Sequence, residues 1–98
     1  MNGWTEHDYP DNFEKLPGER QEQLLKWIDD NLLSRKTFNI RHTSYGLKHS
    51  VKLAGDSYFD NGQFKGAMLK AGYKVKDATS LNWVFNVSDK SPCFKLKS

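Results

Sequence analysis

Three features of the 98-residue sequence predict one small α+β domain of the winged-helix type. Apolar residues recur at helical spacing in three segments, a short alternating segment separates the first two, and a longer period-two alternation follows the third. The resulting order of helix, short strand, helix, helix and β-hairpin is that of a winged-helix domain. The sequence thus predicts an irregular N-terminal arm over 1–16, a winged-helix-like domain over 17–88 and a basic C-terminal tail over 89–98.

The first helix is predicted over 17–33. Pro17 suits a first helical turn, because its missing N–H group needs no partner there. The buried stripe, which Trp27 widens, consists of Leu24, Leu25, Ile28 and Leu32. The four residues 37–40 then alternate between polar and apolar side chains, which predicts a short strand.

Two further helices are predicted over 44–54 and 60–71. In the second of them, Asp60 and Gln63 resemble a capping box. The apolar faces of the two helices consist of Leu47, Val51, Ala54, Phe64, Ala67, Met68 and Ala71. With that face buried, the helix over 60–71 would turn outward Asn61, Gln63, Lys65, Gly66 and Lys70.

A β-hairpin is predicted over 73–88, where the apolar period changes to two residues. In its first strand, Tyr73 and Val75 face one way and Lys74 and Lys76 face the other. The core face of its second strand consists of Leu81, Trp83, Phe85 and Val87. We expect one core that buries Leu24, Ile28, Leu47, Val51, Phe64, Met68, Trp83 and Phe85 together.

Charge is distributed unevenly along the chain. Residues 1–33 carry three Lys or Arg against eight Asp or Glu, whereas residues 34–76 carry nine Lys or Arg against two Asp. A basic region attracts polyanions, of which nucleic acid is the commonest. The pattern predicts a nucleic-acid-binding protein, with duplex DNA as the expected partner.

The candidate contacts follow from how a winged-helix domain docks, with its third helix in the major groove and its hairpin along the backbone. Asn and Gln can bond to adenine, Lys can reach guanine or phosphate, and helix N-termini favour phosphate. The predicted nucleic-acid-binding residues are Arg41, His42, Ser44, Lys48, Asn61, Gln63, Lys65, Lys70, Lys74 and Lys76. The alternative is that the lysines are only solvated and that Asn61 and Gln63 only cap their helix.

Enzyme, metal and membrane functions are not predicted. Cys93 is the single cysteine, and the three histidines lack the spacing of a metal site, so no metal and no cofactor is expected. The N-terminal segment lacks the basic and apolar regions of a signal peptide, and no apolar run approaches the ~20 residues that cross a bilayer. The expected location is the cytoplasm.

The string SYGLKHSVKLAGDSYFDNGQFKGAMLKAGYKV, followed by LNWVFNVS, resembles small proteins encoded by phages and mobile elements of Gram-positive bacteria. The shared patterns are TSYGLKH, NGxFKGAML and LNWxF, over roughly residues 37–92, with a looser match at LPGERQEQLLKWIDDN. The segment 58–73 also resembles the terminal winged-helix segments of phage-type primases. The resemblance implies a phage or mobile-element setting in a bacterial host cell, and it supplies no catalytic residues. In that setting a nucleic-acid-binding winged-helix protein is expected to be a regulator or an accessory replication protein.

The same setting leaves a second hypothesis open. Small mobile-element proteins often block a host defence machine, such as a CRISPR effector, by direct contact. An acidic surface on this chain could meet a basic host protein. Its candidate residues are Glu14, Glu19, Glu22, Asp29 and Asp30. The oligomeric state and any target sequence are left open.

Overall fold

Helices form most of the regular structure in residues 3–51 and 58–94, which are the residues that the computed structural model describes. The α-helices are α1 (Gly18–Asn31), α2 (Ser44–Lys48) and α3 (Asn61–Lys70), and short 3₁₀ helices span Glu6–Asp8, Pro10–Lys15 and Pro92–Phe94. The part described is a small helix-rich domain with little β-structure. None of its helices has the length and the apolar character that crossing a membrane requires.

The first predicted helix is confirmed as α1, which begins after Pro17 and ends where Leu32 adopts an extended backbone. Its buried face contains Leu24, Trp27 and Ile28. Glu19 lies in the first turn, close to the positive end of the helix dipole. The helical spacing of the apolar residues therefore predicted both the helix and the face that it buries.

The second predicted helix is shorter than expected. The side chain of Thr43 caps α2 by accepting a hydrogen bond from the Gly46 N–H group, and the helix ends at Lys48. Leu47 and Val51 are both buried, as predicted. The rest of the predicted helix, including Ala54, falls in the segment 52–57, outside the residues described.

The predicted core is confirmed. All eight side chains expected to be buried together belong to one cluster, in which Phe13, Phe59 and Ala67 also take part. Phe64 and Phe85 meet edge to face with their ring centroids 6.4 Å apart. Burial of these aromatic rings holds α1, α2 and α3 against the segment 83–87.

The N-terminal arm covers α3 through a close backbone contact. Its two 3₁₀ helices lie against the helix because Gly62 and Gly66 carry no side chain on that side. A Cβ atom on Gly62 would overlap the Tyr9 backbone, and one on Gly66 would overlap the Pro10 carbonyl and the Phe13 side chain. Phe13 is only 2% exposed. The arm thus completes the core.

This cover makes the predicted outer face of α3 wrong. Asn61, Lys65 and Gly66 are buried and Gln63 is half-buried, so that of those five residues only Lys70 is fully exposed. The apolar pattern located one buried face correctly. A second face is also buried, because small residues and hydrogen-bonded polar residues line it where the arm packs.

The predicted hairpin is reduced to one antiparallel bridge, between Val75 and Phe85. The other side of the segment 83–87 carries two more antiparallel bridges, Ser34 to Val87 and Thr43 to Val84. The predicted strand over 37–40 does not form. The Asn39 N–H group nevertheless donates to the Phe85 carbonyl at 3.0 Å. The segment 83–87 is therefore the central one of three weakly paired segments.

Candidate nucleic-acid interface

Two of the predicted base-reading and phosphate-binding residues form an interior hydrogen-bond network. The hydroxyl of Ser44 donates to Oδ1 of Asn61 at 2.7 Å and accepts from the Trp83 N–H group at 3.0 Å. Nδ2 of Asn61 donates to Oδ1 of Asp8 at 3.1 Å and to Oδ1 of Asn82 at 3.0 Å. Since both ends of the Asn61 amide are engaged and buried, the prediction that it bonds to adenine is wrong.

Lys65 is also unavailable to nucleic acid. Its side chain is 0% exposed, and its ammonium donates to the Asp8 carbonyl at 2.9 Å. The ammonium lies 3.7 Å from the ring centroid of Trp4 and 4.8 Å from that of Trp83. Burial lowers the pKa of Lys65 to about 8, against the opposing attraction of the Asp8 carboxylate. Lys65 therefore joins the arm to α3 as an internal cation.

Three backbone N–H groups at the N-terminus of α2 are already bonded within the protein. The Ser44 N–H group donates to the Trp83 carbonyl at 2.7 Å. The Gly46 and Leu47 N–H groups are taken by the side chain and the carbonyl of Thr43. Ser44 is 0% and Lys48 6% exposed. Ser44 and these bonded N–H groups are therefore not available to a phosphate, and that part of the predicted site is wrong.

Gln63 supports the capping alternative that the sequence left open. Its Oε1 accepts from the Asp60 N–H group at 3.0 Å, while Oδ1 of Asp60 accepts from the Gln63 N–H group at 2.8 Å. These two bonds form the predicted capping box of α3. The Gln63 amide carbonyl is thus engaged at the helix start, where it serves the fold.

Asn86 links two segments that carry basic residues. Oδ1 of Asn86 accepts from the Lys74 N–H group at 2.8 Å, and Nδ2 donates to the Arg35 carbonyl at 3.0 Å. The Lys76 N–H group donates to the Val84 carbonyl at 2.9 Å. The segment with Lys74 and Lys76 and the segment with Arg35 therefore flank the segment 83–87 on opposite edges. We call the set the basic rim: Arg35, Lys36, Arg41, Lys74 and Lys76.

Asp89 fixes one end of the basic rim. Its carboxylate accepts from Nδ2 of Asn39 at 2.8 Å and lies 3.4 Å from Nη1 of Arg41 and 3.2 Å from Nε2 of His42. Arg35 lies 3.9 Å from the same carboxylate. The hydrogen bond from Asn39, followed by the interactions with His42 and Arg41, lowers the pKa of Asp89. One carboxylate faces two arginines and a histidine, so the rim keeps an excess of positive charge.

Of the ten predicted contacts, the exposed ones are Arg41, Lys70, Lys74 and Lys76, and His42 and Gln63 are partly exposed. The prediction missed Arg35, Lys36 and the organising residue Asn86. The first two stand in the basic run 34–76, so charge alone could have added them. Asn86 carried no signal, because its partners Lys74 and Arg35 are distant in the sequence and only the fold brings them to one amide.

A cleft of about 610 Å³ opens between α2 and the start of α3. Its lining includes the largely exposed rings of Tyr45 and Tyr58, together with Lys48, Asp60 and Asn82. We call it the tyrosine cleft. Sequence reasoning did not single out either tyrosine, because an exposed aromatic residue cannot be distinguished from a core residue by type alone.

The acidic residues of the alternative hypothesis are all exposed: Glu14, Glu19, Glu22, Asp29 and Asp30. Four of them lie on α1, where Lys26 pairs with Asp30 at 2.8 Å. None of these five acidic residues belongs to the basic rim.

Cys93 is not activated by its surroundings. Burial raises the pKa of the Cys93 thiol to about 11, which keeps it protonated near neutral pH.

Comparisons with protein families, with curated proteins and with solved structures find no match to this chain.

Proposed function

We propose that the protein binds nucleic acid by phosphate contacts of the basic rim. The observation that carries the proposal is the Asn86 side chain, which bonds to the backbones of Lys74 and Arg35 on the two edges of the segment 83–87 and so fixes both basic segments to it. Lysine meets phosphate as a point charge, and arginine meets it with two parallel N–H groups. Anchoring both segments to one amide reduces the freedom that these side chains lose on binding.

The recognition is largely independent of sequence. Phosphate contacts set the position of a protein on nucleic acid but carry no base information. Of the three α3 residues proposed from the sequence to touch base edges, Asn61 and Lys65 are buried, and Gln63 is half-buried with its amide carbonyl engaged in the capping box. What is exposed is charge, which favours binding that is strong at low salt and tolerant of sequence.

We further propose that the chain is a divergent winged-helix domain of phage or mobile-element origin, acting as a regulator or accessory replication protein and not as an enzyme. Three α-helices followed by the Val75–Phe85 bridge support this, since a winged-helix domain has that order. Lys74 and Lys76 would then occupy the position of the wing.

The test is a salt titration of binding to a short duplex of random sequence. We expect affinity to fall steeply between about 50 mM and 200 mM salt. Lys74→Ala and Lys76→Ala should each reduce the slope of log affinity against log salt by roughly 0.9 for a lost phosphate contact. These changes should affect all duplex sequences alike.

The matched control is Lys15→Ala, which removes the same charge from an exposed site on the second 3₁₀ helix. It should leave the slope close to that of the wild type. Equal effects of Lys15→Ala and Lys74→Ala would mean that only net charge matters, and salt-independent binding would contradict phosphate contact altogether.

The acidic face of α1 supports a second candidate, contact with a basic host protein. The exposed carboxylates of Glu19 and Glu22 make charge reversal informative. A host-protein complex that is lost in Glu19→Lys/Glu22→Lys but kept in Lys74→Ala/Lys76→Ala would favour inhibition. The opposite pattern would favour nucleic-acid binding.

A further inference from the structure

The tyrosine cleft has the size and the lining of a small-ligand site. Its volume of about 610 Å³ lies within the range of roughly 300–1,000 Å³ that ligand pockets occupy. Asn61 and Asn82, which line the cleft, belong to the interior hydrogen-bond network. The polar floor is therefore held in place before any ligand arrives.

Lys48 places a nearly buried cation in this cleft. Only 6% of the residue is exposed, and its ammonium lies 4.5 Å from the Tyr58 ring centroid and 5.1 Å from that of Tyr45. Among the residues described, its hydrogen-bond partner is Oη of Tyr58 at 3.4 Å, and no carboxylate there forms an ion pair with it. Since an ammonium has three donors, an anion in the cleft would complete its coordination.

The two rings beside that cation remain open to solvent. Tyr45 is 53% and Tyr58 69% exposed, although each ring is large enough to contribute to a core. The edge of Tyr45 meets the His49 ring, with centroids 4.7 Å apart at 77°, which supports its orientation. Exposed aromatic faces next to a cation are suited to a ligand in which a planar ring that can stack is joined to an anionic group.

The acidic side chains in the lining restrict where the negative charge of a ligand can lie. Asp60 caps α3, and its Oδ2 lies 3.6 Å from Nδ1 of His7, while Asp8 accepts from Nδ2 of Asn61. These carboxylates stand on the α3 side of the cleft. An anionic group is therefore favoured next to Lys48, and hydrogen-bond donors of the same ligand are favoured toward Asp60.

The cleft also adjoins the basic rim. Leu81 and Asn82 line the cleft, and Val84, two residues further along, accepts from the Lys76 N–H group and bridges to Thr43. Two residues of extended chain span about 7 Å, roughly the length of one nucleotide step. A single-stranded nucleic acid with one nucleotide in the cleft can thus continue toward the basic rim.

We infer that the tyrosine cleft binds one unpaired nucleotide, with its base stacked on Tyr45 or Tyr58 and its phosphate beside Lys48. Bases that carry an exocyclic amino group fit the acceptors on the α3 side. Binding of a single-stranded nucleic acid at the cleft rests on the proposed function of the basic rim. Binding of a free nucleotide requires only the cleft.

The experiment measures binding of a labelled single-stranded oligo-dA and of a duplex of equal length. Of Tyr45→Leu and Tyr58→Leu, the variant that removes the stacking ring should weaken single-strand binding by roughly 5- to 150-fold, the effect of losing one stacked base. Tyr45→Phe keeps the ring and should stay within about twofold of the wild type, as should Ile40→Ala, an exposed apolar site outside the cleft. Duplex binding should be unchanged in all four variants.

A second experiment distinguishes a free nucleotide from a single-stranded nucleic acid as the ligand. Adenosine monophosphate is titrated into the labelled protein, and amide shifts are followed by NMR. Shifts confined to the lining, around Tyr45, Lys48 and Asn82, support the nucleotide site even if oligonucleotides do not bind. Loss of those shifts in Lys48→Met supports the phosphate assignment.

The two proposals fail in different ways. If duplex binding is salt-dependent but the leucine variants leave single-strand binding unchanged, and no shifts occur in the cleft, then the cleft inference is overturned and the basic rim stands. If the wild type binds neither nucleic acid while adenosine monophosphate still shifts the cleft, the proposed function fails and the nucleotide site stands. Thermal melting of Tyr45→Leu and Tyr58→Leu checks that these surface variants remain folded.

Discussion

At the scale of single residues, Lys65 shows how burial changes the role of a side chain. In the sequence it was one of several lysines of a basic helix, yet the fold surrounds it with Trp4, Trp83 and the Asp8 carbonyl. Desolvation disfavours the charged form, whereas the faces of the two indole rings favour it. The lowered pKa is the net outcome, and it links the stability of the domain to pH.

We expect the stability of the wild type to gain a pH-dependent contribution from Lys65 between about pH 8 and pH 10.5. In that interval the unfolded lysine, with an ordinary pKa of 10.5, keeps its proton, while the folded one, with a pKa of about 8, has lost it. Stability rises with pH where the unfolded state holds more protons, by about 1 kcal/mol from pH 8 to pH 9. Denaturant unfolding at several pH values measures it.

The comparison uses Lys65→Met, which cannot titrate, with Lys65→Arg as a second non-titrating variant. The raised pKa of Cys93 acts in the opposite direction, because its thiol ionises in the unfolded chain first, above about pH 9. That contribution is present in wild type and variants alike and cancels in the difference. A wild-type curve parallel to both variant curves from pH 7.5 to pH 9 would refute a lowered pKa.

At the scale of elements, the contact between the N-terminal arm and α3 decides which helix face is available. Gly62 and Gly66 are spaced four residues apart and so lie on one side of the helix. The backbone of the arm occupies that side, and α3 is consequently an internal helix. A glycine in a helix costs about 1 kcal/mol against alanine, and here close approach explains its use.

Gly66→Ala should destabilise the domain by about 1–3 kcal/mol or more, because the new methyl group overlaps the Pro10 carbonyl. Gly46→Ala is the matched control, since Gly46 lies in α2 and a Cβ there meets nothing within 4 Å. That control should be neutral or slightly stabilising. Chemical denaturation of both variants measures the difference, and equal stabilities would mean that the arm does not pack on α3 as described.

At the scale of the whole molecule, the described part of the arm, residues 3–16, and the helical region form one core. Both Phe13 and Trp4 come from the arm: Phe13 is buried among the core residues, and Trp4 packs against the core cluster. A chain of this size has little stability to spare, since small domains unfold with a free energy of about 5–15 kcal/mol. The arm therefore contributes to folding as well as to the shape of the surface.

A chain that begins at Pro17 should lose cooperative unfolding, because it exposes the glycine face of α3 and removes Phe13. Phe13→Ala in the full chain should show an intermediate loss of about 3–5 kcal/mol. Calorimetry and circular dichroism follow both. A truncated chain that melts as sharply and at the same temperature as the full one would show that the arm is dispensable.

The sequence alone determined the positions of α1 and α3, the capping box at Asp60 and the eight core residues, because local periodicity and helix-end chemistry encode them. Tertiary structure decided the rest. Burial of Asn61 and Lys65, the reduction of the hairpin to one bridge and the linking of two basic segments by Asn86 depend on contacts between segments far apart in the chain. A polar side chain looks alike in sequence whether water or a buried partner satisfies it, and only the packed structure supplies that partner.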